Sequence, residues 1–188
     1  VCPEAEKAEV LALAKDLYKW LYENLRDPGD NLYWNSKGAD GNINTTKWTY
    51  NSGAMIAAGV RLYGATGDTR YLNEAKATAK SSYDYYVRSR NGIPLCYPTN
   101  DPWFTIQMIK SYVELQPHDK SFVAKAMEVF IANLDNAWAK GRMANGLFYE
   151  DWTGANVNPD RDKSLLMQAA ALESLGVVAI YKNEKADE

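Results

Sequence analysis

Apolar side chains recur at the three- and four-residue spacing of α-helices along nearly the whole chain. In residues 4–25 they form a single stripe, which ends at the turn-forming sequence Asp-Pro-Gly-Asp at 27–30. Because no segment with the two-residue period of a strand competes with the helical pattern, we predict an all-α fold. The further predicted helices span about 51–63, 69–88, 102–115, 120–139 and 162–181.

The turns between paired helices carry the sequence signals of helix ends. Gly67 suits a positive φ, and Asp68 and Asp119 stand where they can cap the helices that follow. These two aspartates are 51 residues apart, as are Tyr71 and Phe122. A pair of helices repeated near 50 residues indicates a helical solenoid or a closed α/α toroid.

Length and charge narrow the class of protein. The chain has 188 residues, which suggests one domain or part of one, taken here as the single segment 1–188. A formal net charge of −3 argues against a nucleic-acid binder. Since no uninterrupted run of about 18 apolar residues occurs, we expect no membrane-spanning helix.

Histidine and cysteine usage excludes several kinds of chemistry. The single histidine, His118, lies in a predicted turn and leaves no credible zinc site or catalytic triad. No nucleotide-binding glycine motif occurs. We therefore expect no metal and no cofactor. Cys2 and Cys96 either pair in an oxidising compartment or remain thiols.

Aromatic side chains are frequent, with 6 Trp, 13 Tyr and 4 Phe. Rings beside Asn, Asp and Gln can stack on sugar rings while the polar groups bind hydroxyls. The alternative is that these rings pack the links between helical pairs onto the helix ends. For the set as a whole we favour carbohydrate binding. The rings in the long links are Tyr33, Trp34, Trp48, Tyr97, Trp103, Phe148, Tyr149 and Trp152.

Short motifs in the predicted helix starts carry a resemblance to a known family. Residues 48–53 read Trp-Thr-Tyr-Asn-Ser-Gly and are followed by the turn Thr-Gly-Asp at 66–68. Residues 101–104 read Asp-Pro-Trp-Phe, and 148–154 form an aromatic loop before a helix that contains Gln168. In order and spacing these motifs resemble glycoside hydrolase family 76, the endo-α-1,6-mannanases. The departure is at position 52, where this chain has serine and the family usually has glutamine.

The resemblance covers about residues 4–181 and implies an α/α toroid of six helical hairpins. Six hairpins near 50 residues need roughly 300 residues, so the chain resembles the C-terminal half of that barrel. The family's catalytic acids are two consecutive aspartates in the N-terminal half, and this chain contains no Asp-Asp dipeptide. Because this dipeptide is absent, the family pair cannot be assigned to residues of this chain. Retaining hydrolysis needs two carboxyl groups roughly 5 Å apart.

Candidate site residues lie at the predicted helix starts and in the last aromatic loop. If the chain were catalytic by itself, Asp101 and Asp151 would be our candidates for the acids. Capping of the next helix is sufficient to explain Asp101, and surface or substrate hydrogen bonding could explain Glu150 and Asp151. The residues expected to bind substrate, by ring stacking or through the Asn51 amide, are Trp48, Tyr50, Asn51, Trp103, Phe104, Tyr149 and Trp152.

For the parent protein, the resemblance implies a retaining glycoside hydrolase that acts on α-1,6-linked mannan. It also implies a bacterial protein that is secreted, periplasmic or on the cell surface. The expected partners are mannan or another mannose-containing glycan, together with the missing N-terminal half or a second copy of the chain. The alternative is a noncatalytic carbohydrate-binding or helical scaffold domain built from the same hairpins.

Overall fold

A computed structural model describes residues 3–99 and 101–186 of the chain. The described residues are mostly helical, which confirms the all-α prediction. Their helices, after a short 3₁₀ turn at Glu4–Glu6, are α1 (Lys7–Leu25), α2 (Thr49–Thr66), α3 (Thr69–Tyr86), α4 (Pro102–Leu115), α5 (Lys120–Lys140) and α6 (Leu165–Ala186).

The helices form two rows. Helices α2, α4 and α6 pack side by side in the first row, which we call the inner row. Helices α1, α3 and α5 form the outer row; α3 packs on α2, and α5 packs on α4. The repeated hairpin predicted from the 51-residue spacing is therefore confirmed, and the fold is of the α/α hairpin type.

Helix α4 lies at the centre of the core. Its side chains Ile106, Met108, Ile109 and Tyr112 are all fully buried between α2, α3, α5 and α6. The Tyr112 hydroxyl lies 2.7 Å from the hydroxyl of Ser82 on α3, so this buried phenol has a polar partner. Burial of these large apolar side chains supplies the main stabilising free energy of the fold.

Glycine brings α2 close to its neighbours. A Cβ atom built on Gly53 would lie 2.7 Å from the Cα atom of Met108 on α4, and one on Gly59 would lie 2.8 Å from the carbonyl oxygen of Tyr71 on α3. Both distances are shorter than ordinary van der Waals contact. These two positions therefore let the backbone of α2 approach both rows.

The predicted caps are present at the turns. Gly67 has a φ of 73°, and the Asp68 carboxylate accepts a hydrogen bond of 3.0 Å from the Arg70 amide. Asp119 accepts one of 3.2 Å from the Phe122 amide. These local signals placed the starts of α3 and α5 correctly.

The last helix begins later than predicted. Its start at 162 is wrong because Lys163 turns back into the preceding loop, where its ammonium group donates to the carbonyl oxygens of Asn158 and Pro159. Ser164 then accepts a hydrogen bond of 3.2 Å from the Met167 amide, in the manner of an N-cap. Helix α6 starts at Leu165.

Two small antiparallel hairpins were not predicted. Strands β1 (Trp34–Lys37) and β2 (Ile43–Lys47) pair in the first, and β3 (Arg88–Arg90) and β4 (Ile93–Cys96) pair in the second. Strands of three to five residues are too short to give a period of their own. They lie in the links between helical pairs and leave the fold class unchanged.

One segment of α6 qualifies the expectation about membrane spans. Within the described residues, Leu165–Asn183 is long and apolar enough to cross a membrane by length and composition alone, with a mean hydropathy of 1.3. Ala170, Ala171, Ser174 and Val178 of this helix are buried, and α6 packs against α4. We interpret it as a core helix and not as a membrane span.

Candidate carbohydrate-binding site

The long links between helical pairs lie together at one end of the helices. The tight turns at 67–68 and 116–119 join the two helices of each hairpin, so they lie at the opposite end. The end that carries the links is therefore where the inner helices begin, and we call it the mouth. All candidate site residues from the sequence are at or near the mouth.

Three of the predicted rings form one cluster. The ring of Phe104, at the start of α4, lies edge-on to Trp48 with centroids 5.4 Å apart, and to Tyr50 with centroids 4.5 Å apart. The Tyr50 hydroxyl donates a hydrogen bond of 3.1 Å to the amide oxygen of Asn35 on β1. All three rings are half-buried, so each retains an accessible part.

A pocket of about 210 Å³ opens beside this cluster, between the starts of α2 and α4. We call it the α2–α4 pocket. Trp48, Phe104 and Asp101 line it. Its other walls include Thr49 and Tyr86, which the sequence did not single out.

Asp101 combines a structural role with an unusual environment. Its carboxylate caps α4 by accepting a hydrogen bond of 3.3 Å from the Phe104 amide, and Pro102 occupies the first turn, as predicted. Burial raises the pKa of Asp101, as does the nearby charge of Glu150, while the hydrogen bond from Phe104 opposes the rise. The interaction with Glu150 also indicates that the last aromatic loop lies close to the α2–α4 pocket.

A second, larger pocket of about 420 Å³ lies over the link 141–164, and we call it the loop pocket. Tyr149, Glu150 and Asp151 line it together with Asn91 from the β3–β4 turn. The ammonium group of Lys163 lies 5.5 Å from the centroid of the Tyr149 ring. Polar groups around a half-buried ring make this pocket chemically suited to a sugar.

Both oxygens of the Asp151 carboxylate accept hydrogen bonds from within the link. One oxygen accepts hydrogen bonds from the amide and hydroxyl of Thr153, and the other accepts from the amide and side chain of Asn156. Burial raises the pKa of Asp151, but these hydrogen bonds outweigh burial and hold it below its usual value. Glu150 pairs with Arg161 at 2.8 Å.

Side chains from three neighbouring elements hold the link in place. The Gln168 amide on α6 both donates to and accepts from the backbone of Phe148, at 2.9 Å each. From α5, Asn136 donates to the carbonyl oxygen of Trp152 at 2.8 Å. From the β3–β4 turn, Asn91 donates to the Thr153 hydroxyl at 2.9 Å. The loop pocket therefore forms only when α5, α6 and the β3–β4 hairpin are all packed.

The remaining predicted binding residues lie deeper. Trp152 is only 6% exposed and packs in the core, with its ring centroid 6.4 Å from that of Phe148. Trp103 is half-buried against the core. Asn51 is half-buried, and its side-chain nitrogen has no hydrogen-bond partner. Their roles in binding stay predictions, and the burial of Trp152 favours a part in supporting the loop.

Sequence reasoning missed Arg90 and Asn91 because it did not predict the hairpin that carries them. A signal was present: Asn91-Gly92 is the preferred pair for a two-residue type I′ turn. Asn91 and Gly92 have positive φ angles of 48° and 83°, and Arg90 pairs with Ile93 across the turn. Thr49 and Tyr86 carry no such local signal, since only packing brings the end of α3 beside the start of α2.

Metal and thiol chemistry has little support in the described residues. They contain no group of three or more His, Cys, Asp or Glu side chains that could hold a metal ion. His118 lies in its predicted turn, with its ring edge-on to Tyr63 at 5.3 Å. Cys96 is buried, and its sulfur lies 3.3 Å from the carbonyl oxygen of Tyr97. The possible pairing with Cys2 stays untested because Cys2 lies outside the described residues.

Paired helices with polar, ring-lined pockets at one end define this chain as an α/α-hairpin domain. The family profile of glycosyl hydrolase family 76 matches residues 5–186. The chain therefore belongs to glycosyl hydrolase family 76, as its motifs predicted.

Solved structures are similar over almost the whole chain. A family 76 glycoside hydrolase from a bovine Bacteroides thetaiotaomicron strain is 26% identical with a TM-score of 0.81, over 93% of this chain and 39% of that one. A GH76 α-mannanase of Bacteroides thetaiotaomicron is 30% identical with a TM-score of 0.76, over 98% of this chain and 49% of that one. None of the curated protein sequences matches the chain.

A third similar structure is an inactive variant of an α-1,6-mannanase from Salegentibacter, in which two consecutive aspartates are replaced by alanine, in complex with α-1,6-mannotetrose. It is 24% identical with a TM-score of 0.78, over 93% of this chain and 53% of that one, and so it supports the fold alone. The present chain spans about half, or less, of the length of these three relatives.

Proposed function

We propose that this chain forms a glycan-binding part of a glycoside hydrolase that cleaves α-1,6-linked mannan. Family membership supports hydrolase activity in the parent protein, and the 30% identical relative is an α-mannanase. The observation that carries the proposal is the pair of adjoining pockets at the mouth. Together they offer exposed ring surface and fixed polar groups, which is what a neutral, hydroxyl-rich chain requires.

The catalytic acids of the proposed reaction lie outside this chain. Retaining hydrolysis uses two carboxyl groups about 5 Å apart, one as nucleophile and one as acid and base. Asp151 is a poor nucleophile candidate because four hydrogen bonds already occupy its oxygens. Asp101 caps α4. We propose that two aspartates in another part of the protein act on the glycan held against this wall.

We propose that this other part of the protein covers both sides of the helical rows, beside α1 and beside α6. At one end, α1 exposes Val10, Leu13 and Leu17, and an apolar groove of about 580 Å³ runs between α1 and α2. At the other end, α6 exposes Leu172 and Ile180. Exposed apolar patches of this kind mark interaction surfaces. Because the relatives are about twice as long, we assign these surfaces to the remaining hairpins of a family 76 toroid.

Tryptophan fluorescence tests the proposed substrate. We expect α-1,6-mannan to change the emission of the chain and β-mannan to leave it unchanged. The change should be lost in Trp48→Phe and kept in Trp20→Phe, since Trp20 is exposed on α1 and lines neither mouth pocket. An emission spectrum that neither polymer changes would overturn the proposal.

Activity measurements separate hydrolase from binding module. We expect the chain alone to release no sugar from α-1,6-mannan, and the longer parent protein to do so. Cleavage by the chain alone would place the acids within it, and our assignment would be wrong. Binding without cleavage by the parent protein would favour a noncatalytic carbohydrate-binding domain.

We also propose that the parent protein is secreted, periplasmic or on the cell surface. A polysaccharide such as mannan is too large and polar to cross a membrane unaided, so an enzyme that cleaves it must meet it outside the cytoplasm. Fractionation of the source cells with an antibody to this chain tests the location, and a purely cytoplasmic signal would contradict it.

A further inference from the structure

The α2–α4 pocket is lined by two residues with buried hydroxyl groups whose hydrogen bonding is incomplete within the described residues. Thr49 is 3% exposed and Tyr86 is 5% exposed, and both line the pocket. The Thr49 hydroxyl has no hydrogen-bond partner among the described residues, and the Tyr86 hydroxyl interacts only with that of Ser52, without good alignment. Burial raises the pKa of the Tyr86 phenol, and the neighbouring Ser52 lowers it only in part. The Ser52 hydroxyl is also without a well-aligned partner. Buried polar atoms normally have partners, so the incompletely bonded hydroxyls of the two lining residues, Thr49 and Tyr86, point to a ligand.

The charges around the pocket favour a neutral ligand. Lys47 is already held by Asp27 at 2.7 Å and by Asp30 at 2.6 Å. Arg90 donates to the carbonyl oxygen of Tyr86 at 3.0 Å, which directs part of its guanidinium to the backbone. Asp101 adds a carboxylate to the lining. No excess positive charge is left to attract a phosphate or a carboxylate, whereas a polyhydroxyl compound can bond to each of these groups.

The size and position of the pocket limit what can enter. Its volume of about 210 Å³ lies below the roughly 300–1,000 Å³ of sites for drug-sized ligands, so it suits one sugar ring. Its lining includes Tyr86, the last residue of the outer helix α3, and so the pocket extends from the inner row towards the outer row. A glycan that entered in this direction would end there.

We propose that the α2–α4 pocket binds one terminal mannosyl unit, either a side branch or a chain end, while the main chain crosses the mouth at the loop pocket. The hydroxyls of Thr49 and Tyr86 bond to the hydroxyl groups of this unit, and the accessible parts of Trp48 and Phe104 contact its ring. This inference rests on the proposed function, because it names the part of the mannan that this region of the mouth selects.

Ligand-observed NMR on the whole chain, with methyl α-mannoside and methyl α-glucoside as probes, tests the pocket. We expect the mannoside to bind and Tyr86→Phe and Thr49→Val each to raise its Kd about three- to tenfold, as expected for one neutral hydrogen bond. Tyr83→Phe is the matched control: it makes the same change one turn earlier in α3, at a buried ring that does not line the pocket. We expect it to bind as the wild type does.

Thermal stabilisation by the ligand gives a second measurement of binding. Saturating mannoside should raise the Tm of the wild type and of Tyr83→Phe more than that of Tyr86→Phe. A variant that failed to fold would be recognised by its Tm without ligand, and Thr49→Val then carries the test. Branched mannan and linear α-1,6-mannan, compared in the same variants, distinguish a side branch from a chain end.

The outcomes separate this inference from the proposed function. Equal mannoside affinity in all three variants would overturn the pocket assignment. Binding of linear α-1,6-mannan without any binding of the mannoside or of branched mannan would also overturn it, and would leave the proposed function standing. If no mannan bound at all, both would fail.

Discussion

Two aspartates of the mouth differ in what their charge contributes to stability. Burial makes ionisation of Asp101 unfavourable, so its pKa is higher in the folded protein than in the unfolded chain. Stability therefore falls as the pH rises through that pKa. For Asp151, hydrogen bonds to the ionised form lower the folded pKa despite burial. Its contribution is present above the unfolded pKa, near 3.9, and is lost as the pH falls through the folded value.

This contrast predicts opposite effects of the same substitution. At pH 7, Asp101→Asn should leave stability unchanged or raise it, because asparagine still caps a helix and the buried charge is gone. Asp151→Asn should lower stability by about 1–3 kcal/mol, because charged hydrogen bonds to Thr153 and Asn156 are lost. Urea denaturation as a function of pH measures both, and each difference should shrink as the pH falls through the folded pKa of that aspartate. Destabilisation by both variants at pH 7 would contradict the assignment.

At the scale of elements, the separation between α2 and α4 determines how the mouth is arranged. Both helices begin at the mouth and carry the rings of the α2–α4 pocket near their starts. Gly53 allows their backbones to touch, since a Cβ there would lie 2.7 Å from the Cα atom of Met108. Any increase in this separation would move Trp48 relative to Phe104 and widen the pocket.

We therefore expect Gly53→Ala to destabilise the protein by about 1–3 kcal/mol, as overpacking does. Gly64→Ala is the matched control in the same helix: nothing lies within 4 Å of the added Cβ, so it should stabilise by about 0.4–1 kcal/mol. Chemical denaturation measures both. Equal stability of the two variants would mean that α2 and α4 are not in close contact.

The sequence could predict those elements whose causes are local. The starts of α3, α4 and α5 depend on Asp68, Asp101 and Asp119. Each of these caps its helix by accepting a hydrogen bond from a backbone amide two or three residues later. The pockets could not be predicted in the same way. The loop pocket depends on contacts such as that between Asn91 and Thr153, and the α2–α4 pocket joins Thr49 to Tyr86. Such contacts arise only when distant helices pack.

At the scale of the whole molecule, the helical rows end on apolar surface at both sides. Leu172 on α6 is 73% exposed and Leu13 on α1 is 58% exposed. In the middle of the inner row, α4 is covered on one side by α2 and on the other by α6. The length of 188 residues first suggested one domain or part of one, and a similar solved structure is about twice as long. The 51-residue repeat is the sequence feature on which the prediction of a half barrel rests.

We expect this exposed surface to cause association. In sedimentation velocity, the chain should form dimers or larger species, and Leu172→Glu should shift it towards monomer because a buried carboxylate is costly. Ala77→Glu, on the exposed side of α3, is the control and should have no effect. The chain should also bind the separately produced remaining half of its parent protein. A stable wild-type monomer that ignores that half would contradict the proposed closure.

The opposite placement of the tight turns and the long links has a consequence for evolution. The turns at 67–68 and 116–119 and the buried helix faces maintain the framework, while the links at the mouth line the two pockets proposed to bind the glycan. Insertions and substitutions in the links can therefore alter which glycan is recognised while the turns and the buried helix faces stay as they are. A family built in this way can diversify its specificity rapidly and still keep one recognisable core.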